Sequence, residues 1–283
     1  MKRIITVQDI SCVGKCSLTV ALPIISAMGT ECAVLPTAVL SNHTAFRQFT
    51  FHDLTDEIER TVDAWMEEGL IFDMIYTGYL GSFEQIHLIC AMIDRLREQN
   101  PDLFVVVDPA MGDGGTLYKG FTETFANEMG TLCRKADLIL PNLTEAAYLL
   151  GIPYRHEGYS EEQVRQILLR LTDMGVKQAA LTGVSTSADT IGVMAYHAEE
   201  ERYFCYEGPR APVMYHGTGD IFASTVVGAL SVGMGIDAAL SLAVDYTFAC
   251  IEQTMKDPNA RWYGVNFESA LGMLTETAKK IRT

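Results

Sequence analysis

The sequence predicts an α/β fold: a largely parallel sheet with helices on both faces, in three layers. Three observations carry this. Apolar runs of strand length alternate with segments of helical periodicity over most of the 283 residues. Most of those runs end on glycine or an acidic side chain, as strands do where a parallel sheet opens toward a ligand. No Pro/Ser/Gly-rich linker, composition shift or internal repeat divides the chain, so one domain spanning 1–283 is expected.

The elements follow in order. Residues 3–7, RIITV, read as a buried first strand, followed by a glycine-containing loop and a helix over 17–29. CAVLPTAV (32–39) is a second strand, and 54–69 is a helix with an acidic start that suits the positive end of a helix dipole. DMIYTGYLG (73–81) runs from strand into a glycine loop, and a helix covers 82–99. LFVVVDPAMGDGG (103–115) is an apolar strand that ends on Asp108-Pro109 and dissolves into glycines. ADLILPNLTEAAYLLG (136–151) is a short strand, a Pro-Asn turn and a helix; 160–175 is an amphipathic helix with a serine cap and a glutamate two residues later. QAALTGV (178–184) is a further strand ahead of two antiparallel ones, 190–196 and 202–207. Three helices starting at Gly219, Asp237 and Phe267 close the chain.

Composition narrows the function. A formal net charge of -15 argues against a nucleic-acid surface and against anionic lipid. The N-terminal apolar run is too short for a signal peptide, and the uncharged stretch 221–236 is too short and too rich in Gly and Ser to span a bilayer, so a cytoplasmic protein is expected. Seven cysteines form no CxxC pair and read as free, buried thiols. There is no GxxxxGK[ST], no GxGxxG after the first strand and no protein-kinase motif set, which disfavours P-loop, dinucleotide-binding and protein-kinase chemistry.

What remains is Gly217-Thr218-Gly219-Asp220 at the start of a helix. Backbone amides there would converge on a developing negative charge, and Asp220 would take the proton from an attacking hydroxyl. Taken alone, the segment fits a capped helix start equally well. Its companions weigh against that: Asp108 and Asp113 in DPAMGDGG, and Asn142 and Glu145 in PNLTEA, fall at neighbouring strand ends. Spaced carboxylates of this kind suit magnesium held through water and phosphate rather than in a closed cage.

GTGD, DPAMGD and PNLTEA together resemble the ribokinase-like superfamily, and SNHT within 40–46 with TGYLGS (77–82) narrows the resemblance to the pyridoxal kinase family. The resemblance implies a homodimer that phosphorylates the 5'-hydroxymethyl group of a B6 vitamer, with ATP and Mg2+ as cofactors and room for a monovalent cation. It implies Asp220 as base, Gly217, Thr218 and Gly219 as anion hole, and Asp108, Asp113, Asn142, Glu145 and Thr182 on the nucleotide side. Thr218 and Gly219 would also meet ATP, and Asp108, Asp113 and Glu145 would hold magnesium largely through water. Thr44 and Tyr79 match the vitamer pocket, and His43, directly before Thr44, reads equally as a structural histidine. The family often has serine directly after the first strand; here Asp9 stands there, with Ser11 the nearest serine. An aspartate could pair with the ring nitrogen or with the amine of pyridoxamine, which suggests a tilt toward that vitamer. The segment 206–220 would run over the nucleotide as a flap, with Arg210 near phosphates. Cys205 reads as a buried strand cysteine. The rivals are a hydroxymethylpyrimidine kinase on the same scaffold and a non-catalytic vitamer-binding protein; sugar kinases usually carry a longer lid than 34–53 allows.

Overall fold

The computed structural model describes residues 1–156, 158–213 and 215–282. Its main sheet has nine strands in the order β11-β10-β9-β8-β5-β4-β1-β2-β3. These are β1 (Arg3–Ser11), β2 (Glu31–Leu40), β3 (Phe51–Asp53), β4 (Met74–Thr77), β5 (Phe104–Val107), β8 (Leu138–Ile139), β9 (Gln178–Val184), β10 (Thr190–His197) and β11 (Arg202–Pro209). The six from β2 through β1, β4, β5 and β8 to β9 pair in parallel; β3, β10 and β11 are antiparallel additions at the two edges. The strands β6 (Gly112–Asp113) and β7 (Thr116–Leu117) form a separate hairpin.

Alternation along the central strands explains why helices cover both faces. On one side Ile5, Val7, Ile75, Val105 and Val107 pack with α2 (Thr55–Glu67), α3 (Phe83–Gln99), α4 (Glu123–Cys133), α5 (Leu143–Leu150) and α6 (Glu161–Thr172). On the other, Ile4, Met74, Tyr76 and Val106 pack with α1 (Leu18–Ala27), α7 (Thr218–Ser231), α8 (Ile236–Lys256) and α9 (Leu271–Arg282). Strands buried on both faces need apolar side chains at successive positions, which is what FVVV and MIYT supply.

Several expectations need correction. The first strand continues to Ser11, so Asp9 lies inside β1 rather than beyond it. Thr182 likewise sits within β9, which runs on to Val184. The helix α4 was not foreseen, although Phe125, Ala126, Met129, Leu132 and Cys133 give a helical apolar stripe and Thr122 caps its first turn. The glycines after Asp108 order into the β6–β7 hairpin. Ser160 does cap α6, as expected, and Gln163, three residues on, completes a capping box with it. The last helix starts at Leu271, after a 3-10 turn at Glu268–Ala270. Cys205 is on a strand but exposed, as is Cys12; all seven thiols are free. Met214, inside the expected flap, lies outside the described residues. Among the described residues no helix is long and apolar enough to cross a membrane.

Candidate active site

Two carboxylates meet where the end of β1 faces the start of α7. Gly217 caps α7 with φ 82°, in the left-handed region, and a Cβ there would come within 2.0 Å of the Lys15 carbonyl oxygen. Only glycine fits so close a backbone approach without displacing the loop. At Gly219, by contrast, a Cβ would meet nothing within 4 Å, so the space beside that amide is open. The first amides of a helix lack intrahelical acceptors and carry the positive end of its dipole, which makes this open space a receptor for an anion.

Asp220 lies in the first turn of α7, half-buried, with the backbone N–H of Ser17 on its side favouring the ionised carboxylate. Burial, helped by the charge of Asp9, raises its pKa from 3.8 to about 7, although the Ser17 amide pulls the other way. A carboxyl group poised near neutrality can accept and release a proton at working pH.

Asp9 is buried and held at both oxygens: the Ser17 hydroxyl donates at 2.6 Å and the Ser11 hydroxyl at 2.9 Å. Burial raises its pKa, against the pull of those two hydroxyls. Ser17 adopts φ 51° and ψ -135°, one of two non-glycine residues with positive φ among the described residues. Such a conformation costs about 1–3 kcal/mol for a residue with a side chain and is worth a reason. The Cys16 thiol is pushed well up by burial and by the charges of Asp220 and Asp9, so it stays protonated.

Two further groups, His43 and Tyr79, lie near Asp9. The Nδ1 atom of His43 accepts the Ala45 amide at 3.2 Å, and burial together with nearby His216 lowers its pKa, so the ring is a neutral, hydrogen-bonded histidine. Tyr79, at the β4–α3 turn, stacks on Phe121 at 5.4 Å, and Phe121 on Phe125 at 3.9 Å. Thr44 is exposed on the loop that carries His43.

The nucleotide-side residues gather at the ends of β5 and β8. Asp108 is buried at the end of β5, and burial plus the charge of Asp220 push its carboxyl well up. Glu145 is buried in the first turn of α5, where its oxygens accept the amides of Met111 at 3.1 Å and Asn142 at 2.9 Å. The Asn142 side chain accepts the Glu145 amide in return, a reciprocal capping box, while its Nδ2 donates to Gly112. Glu145 is therefore a first-turn structural acid, as a bland reading of PNLTEA has it, and it also faces the charge of Asp108. Thr182 pairs with Asn142 across β8–β9. Asp113 is exposed in the hairpin, its carboxylate accepting the Gly114 amide at 2.7 Å. Asp108, Asp113 and Glu145 do not converge: among the described residues no three His, Cys, Asp or Glu side chains are grouped to hold a metal.

Two contributors escaped sequence reasoning. Tyr118, just after the hairpin, has its hydroxyl acidity suppressed by burial and by Glu145, Asp108, Asp220 and Asp113 together, which places it facing the acidic cluster. Its sequence surroundings, TLYKG, carry no signal for that. Ser17 looked like an ordinary helix start.

Against known proteins, the phosphomethylpyrimidine kinase family model matches residues 21–261. The chain belongs to that family, a ribokinase-like group that takes in the pyridoxal kinases. A family member of known structure from Bacteroides thetaiotaomicron, described as a candidate phosphomethylpyrimidine kinase, is 40% identical with a TM-score of 0.92, covering 96% of this chain and 93% of its own. A second crystal form of that protein, with pyridoxal, superposes at 0.90 with 39% identity, covering 96% and 95%. Pyridoxal kinase from Lactobacillus plantarum is 30% identical over 99% of both chains, with a TM-score of 0.89. In sequence, pyridoxal kinase of Dictyostelium discoideum is 26% identical over 240 residues, 80% of this chain and 77% of that one.

Proposed function

We propose that this chain is a kinase of B6 vitamers, moving the γ-phosphoryl group of ATP to the 5'-hydroxymethyl group of pyridoxal, pyridoxamine or pyridoxine. The observation that carries the reading is Asp220: a carboxyl raised to about 7, set in the first turn of a helix with open space beside the Gly219 amide. Asp220 takes the hydroxyl proton as the alcohol oxygen bonds to the γ-phosphorus; the bond to the bridging oxygen breaks and ADP leaves. The amides of Gly217, Thr218 and Gly219 receive the charge on the group in transit. Relatives named pyridoxal kinase, and a 39%-identical relative crystallised with pyridoxal, support the substrate class.

On the vitamer side, Asp9, Ser11 and Tyr79 would meet the substituted pyridine, the first two through its polar substituents and the last through its ring face. An ionised carboxylate has about four lone-pair sites, so the two serine bonds leave Asp9 able to accept from a ring N–H or an amine. That motivates a preference for pyridoxamine; equal turnover of pyridoxal and pyridoxamine, unchanged in Asp9→Ser, would remove it. Thr44, exposed on its loop, would meet the vitamer only as that loop closes.

On the nucleotide side, Asp108, Asn142, Glu145 and Thr182 would face ATP and Asp113 its outer edge. The donor set fits magnesium held largely through water. Asp108 and Glu145 are buried hard-oxygen groups, each raised by a neighbouring negative charge that a cation would relieve, while the Glu145 oxygens are already engaged by amides. When bound, Mg2+ would neutralise phosphate charge. The same reading makes the chain one catalytic domain of a cytoplasmic homodimer, to be checked by light scattering.

The test is ADP release with ATP and magnesium, offering pyridoxal, pyridoxamine and hydroxymethylpyrimidine in parallel. Turnover of a B6 vitamer is expected. Turnover of the pyrimidine alone, the unphosphorylated counterpart of the phosphomethylpyrimidine in the family description, would move the reading to that activity with the same Asp220 chemistry. Binding of a vitamer without any turnover would favour the non-catalytic alternative, against which the intact Gly-Thr-Gly-Asp segment argues.

A further inference from the structure

Ser17 occupies the N-cap position of α1, where a serine ordinarily turns its hydroxyl onto the helix's own amides. It makes no such bond. Its backbone instead takes φ 51° and ψ -135°, a conformation that suits glycine far better. The result is a residue that serves Asp9 rather than its own helix: the hydroxyl donates to Asp9 at 2.6 Å, while the backbone N–H lies on the Asp220 side and favours the ionised form of that carboxyl. The loop that carries it is fixed at several points. Thr19 Oγ1 donates to the carbonyls of Gly14 and Cys16, Lys15 Nζ reaches Asn266 and Glu268, and the Lys15 carbonyl lies against Gly217.

From this we infer that Ser17 is a positioning residue that holds the vitamer-side carboxylate Asp9 in place beside the base Asp220, so that the two act as one unit. The inference rests on the kinase reading above. A serine in a glycine-like conformation, with a hydroxyl not used for capping, is otherwise unaccounted for. Other groups facing this pair are Cys16 from the same loop, Asp108 and Tyr76 from β5 and β4, Tyr118 beyond the hairpin, and His43 and Tyr79 around Asp9. Among the hydrogen bonds of the described residues, the Asp9 carboxylate is reached by the Ser17 and Ser11 hydroxyls and by none of these groups.

Consequences follow for binding and for pH. A cationic or N–H group bound at Asp9 offsets its charge and so lowers the proton affinity of Asp220, because the charge of Asp9 is one of the causes that hold Asp220 near neutrality. Removing that charge, or freeing Asp9 to turn away, moves the Asp220 ionisation toward the ordinary carboxylate range.

The experiment is a double-mutant cycle on kcat/KM for pyridoxal at saturating ATP and magnesium, measured across pH for the natural chain, Ser17→Gly, Asp9→Asn and the double variant. Glycine accepts the backbone conformation without strain and removes only the hydroxyl, so the fold is kept; melting temperatures check this, and Ser17→Ala serves as a second hydroxyl-free variant. Ser17→Gly is expected to lower kcat/KM about 10-fold, the scale of one lost hydrogen bond to a charged group, but less than about 2-fold in the Asp9→Asn background. The acid limb of the profile should move to lower pH in Asp9→Asn and in Ser17→Gly, with no further movement in the double variant. The vitamer's own ionisations are common to all four proteins and cancel in the comparison. Losses that multiply, or an acid limb that Ser17→Gly leaves in place, overturn the inference. If the natural chain turns over no B6 vitamer at all, the kinase reading falls instead.

Discussion

The two sides of the candidate site hold their carboxylates by different means. On the vitamer side Asp9 is gripped by side-chain hydroxyls, Ser11 and Ser17. On the nucleotide side Glu145 is gripped by main-chain amides, those of Met111 and Asn142. A hydroxyl can rotate away and be replaced by a ligand donor, whereas an amide within a turn is fixed by the fold. The first arrangement suits a pocket that must read the substituents of a small ring. The second suits a rigid wall against which a polyphosphate, recognised mostly by charge, can be placed. Asp220 stands between the two and feels both: Asp9 raises its pKa, and its own charge raises that of Asp108.

The largest expected effect tests whether Asp220 is that junction. Asp220→Ala should lower kcat by about 10²–10⁴-fold while leaving vitamer binding largely intact, as when base catalysis alone is lost. Titration calorimetry beside turnover separates the two. Near-full activity would place the base elsewhere.

The next test uses the sign of the pKa shift. Because the base must be ionised, kcat should fall as pH drops through about 7. Stability should respond in the opposite sense. The folded chain binds this proton more tightly than the unfolded chain, whose aspartate titrates near 3.8, so Asp220 opposes folding above about 7. That penalty shrinks as pH falls from 7 toward 3.8 and is absent below. Asp220→Asn should therefore melt about 3 °C higher at pH 8, the effect of roughly 1 kcal/mol in a chain of this size, with the gain vanishing by pH 4. A variant that melts lower at pH 8 would mean the carboxylate is held more favourably than its burial implies.

Much of this architecture is legible in the sequence because it is local. Strands such as FVVV and MIYT must be apolar at every position to lie between two helical layers, and GTGD, DPAMGD and PNLTEA each sit within one turn. The helix α4 was legible too, from Phe125, Met129 and Leu132, and passed unread beside the glycine-rich hairpin. What could not be read is which distant residues meet. The hydroxyl of Ser17 reaches Asp9 through a backbone turn that carries no sequence signature, and a serine at a helix start has an ordinary explanation that hides the unusual one. Tyr118 faces four acids only because the hairpin folds back over the end of β5.

On the nucleotide side, Glu145→Gln sharpens the contrast between amide and hydroxyl grips. Glutamine keeps one acceptor for the Met111 or Asn142 amide but presents an NH2 group to the other. The expected cost is about 1 kcal/mol, a fall of about 2–4 °C in Tm, together with a raised KM for ATP. An unchanged Tm with a raised KM would mean that Glu145 serves the nucleotide and not the turn.

The smallest effect belongs to Asp113. It is exposed, and its carboxylate accepts only from the neighbouring Gly114 amide, a bond that the carbonyl oxygen of asparagine preserves. Asp113→Asn thus removes a charge without removing the turn. Salt screens an exposed charge within about 10 Å at 0.1 M, so any pull this residue exerts on magnesium or phosphate must fade as salt rises. The expected change in KM for ATP is under about 3-fold at low salt and disappears at ~0.5 M. A large loss that persists in salt would show that the hairpin closes in the working enzyme and brings Asp113 into contact with the metal. The amide-walled side would then be less rigid than Glu145 and Asn142 make it, and its difference from the vitamer side correspondingly smaller.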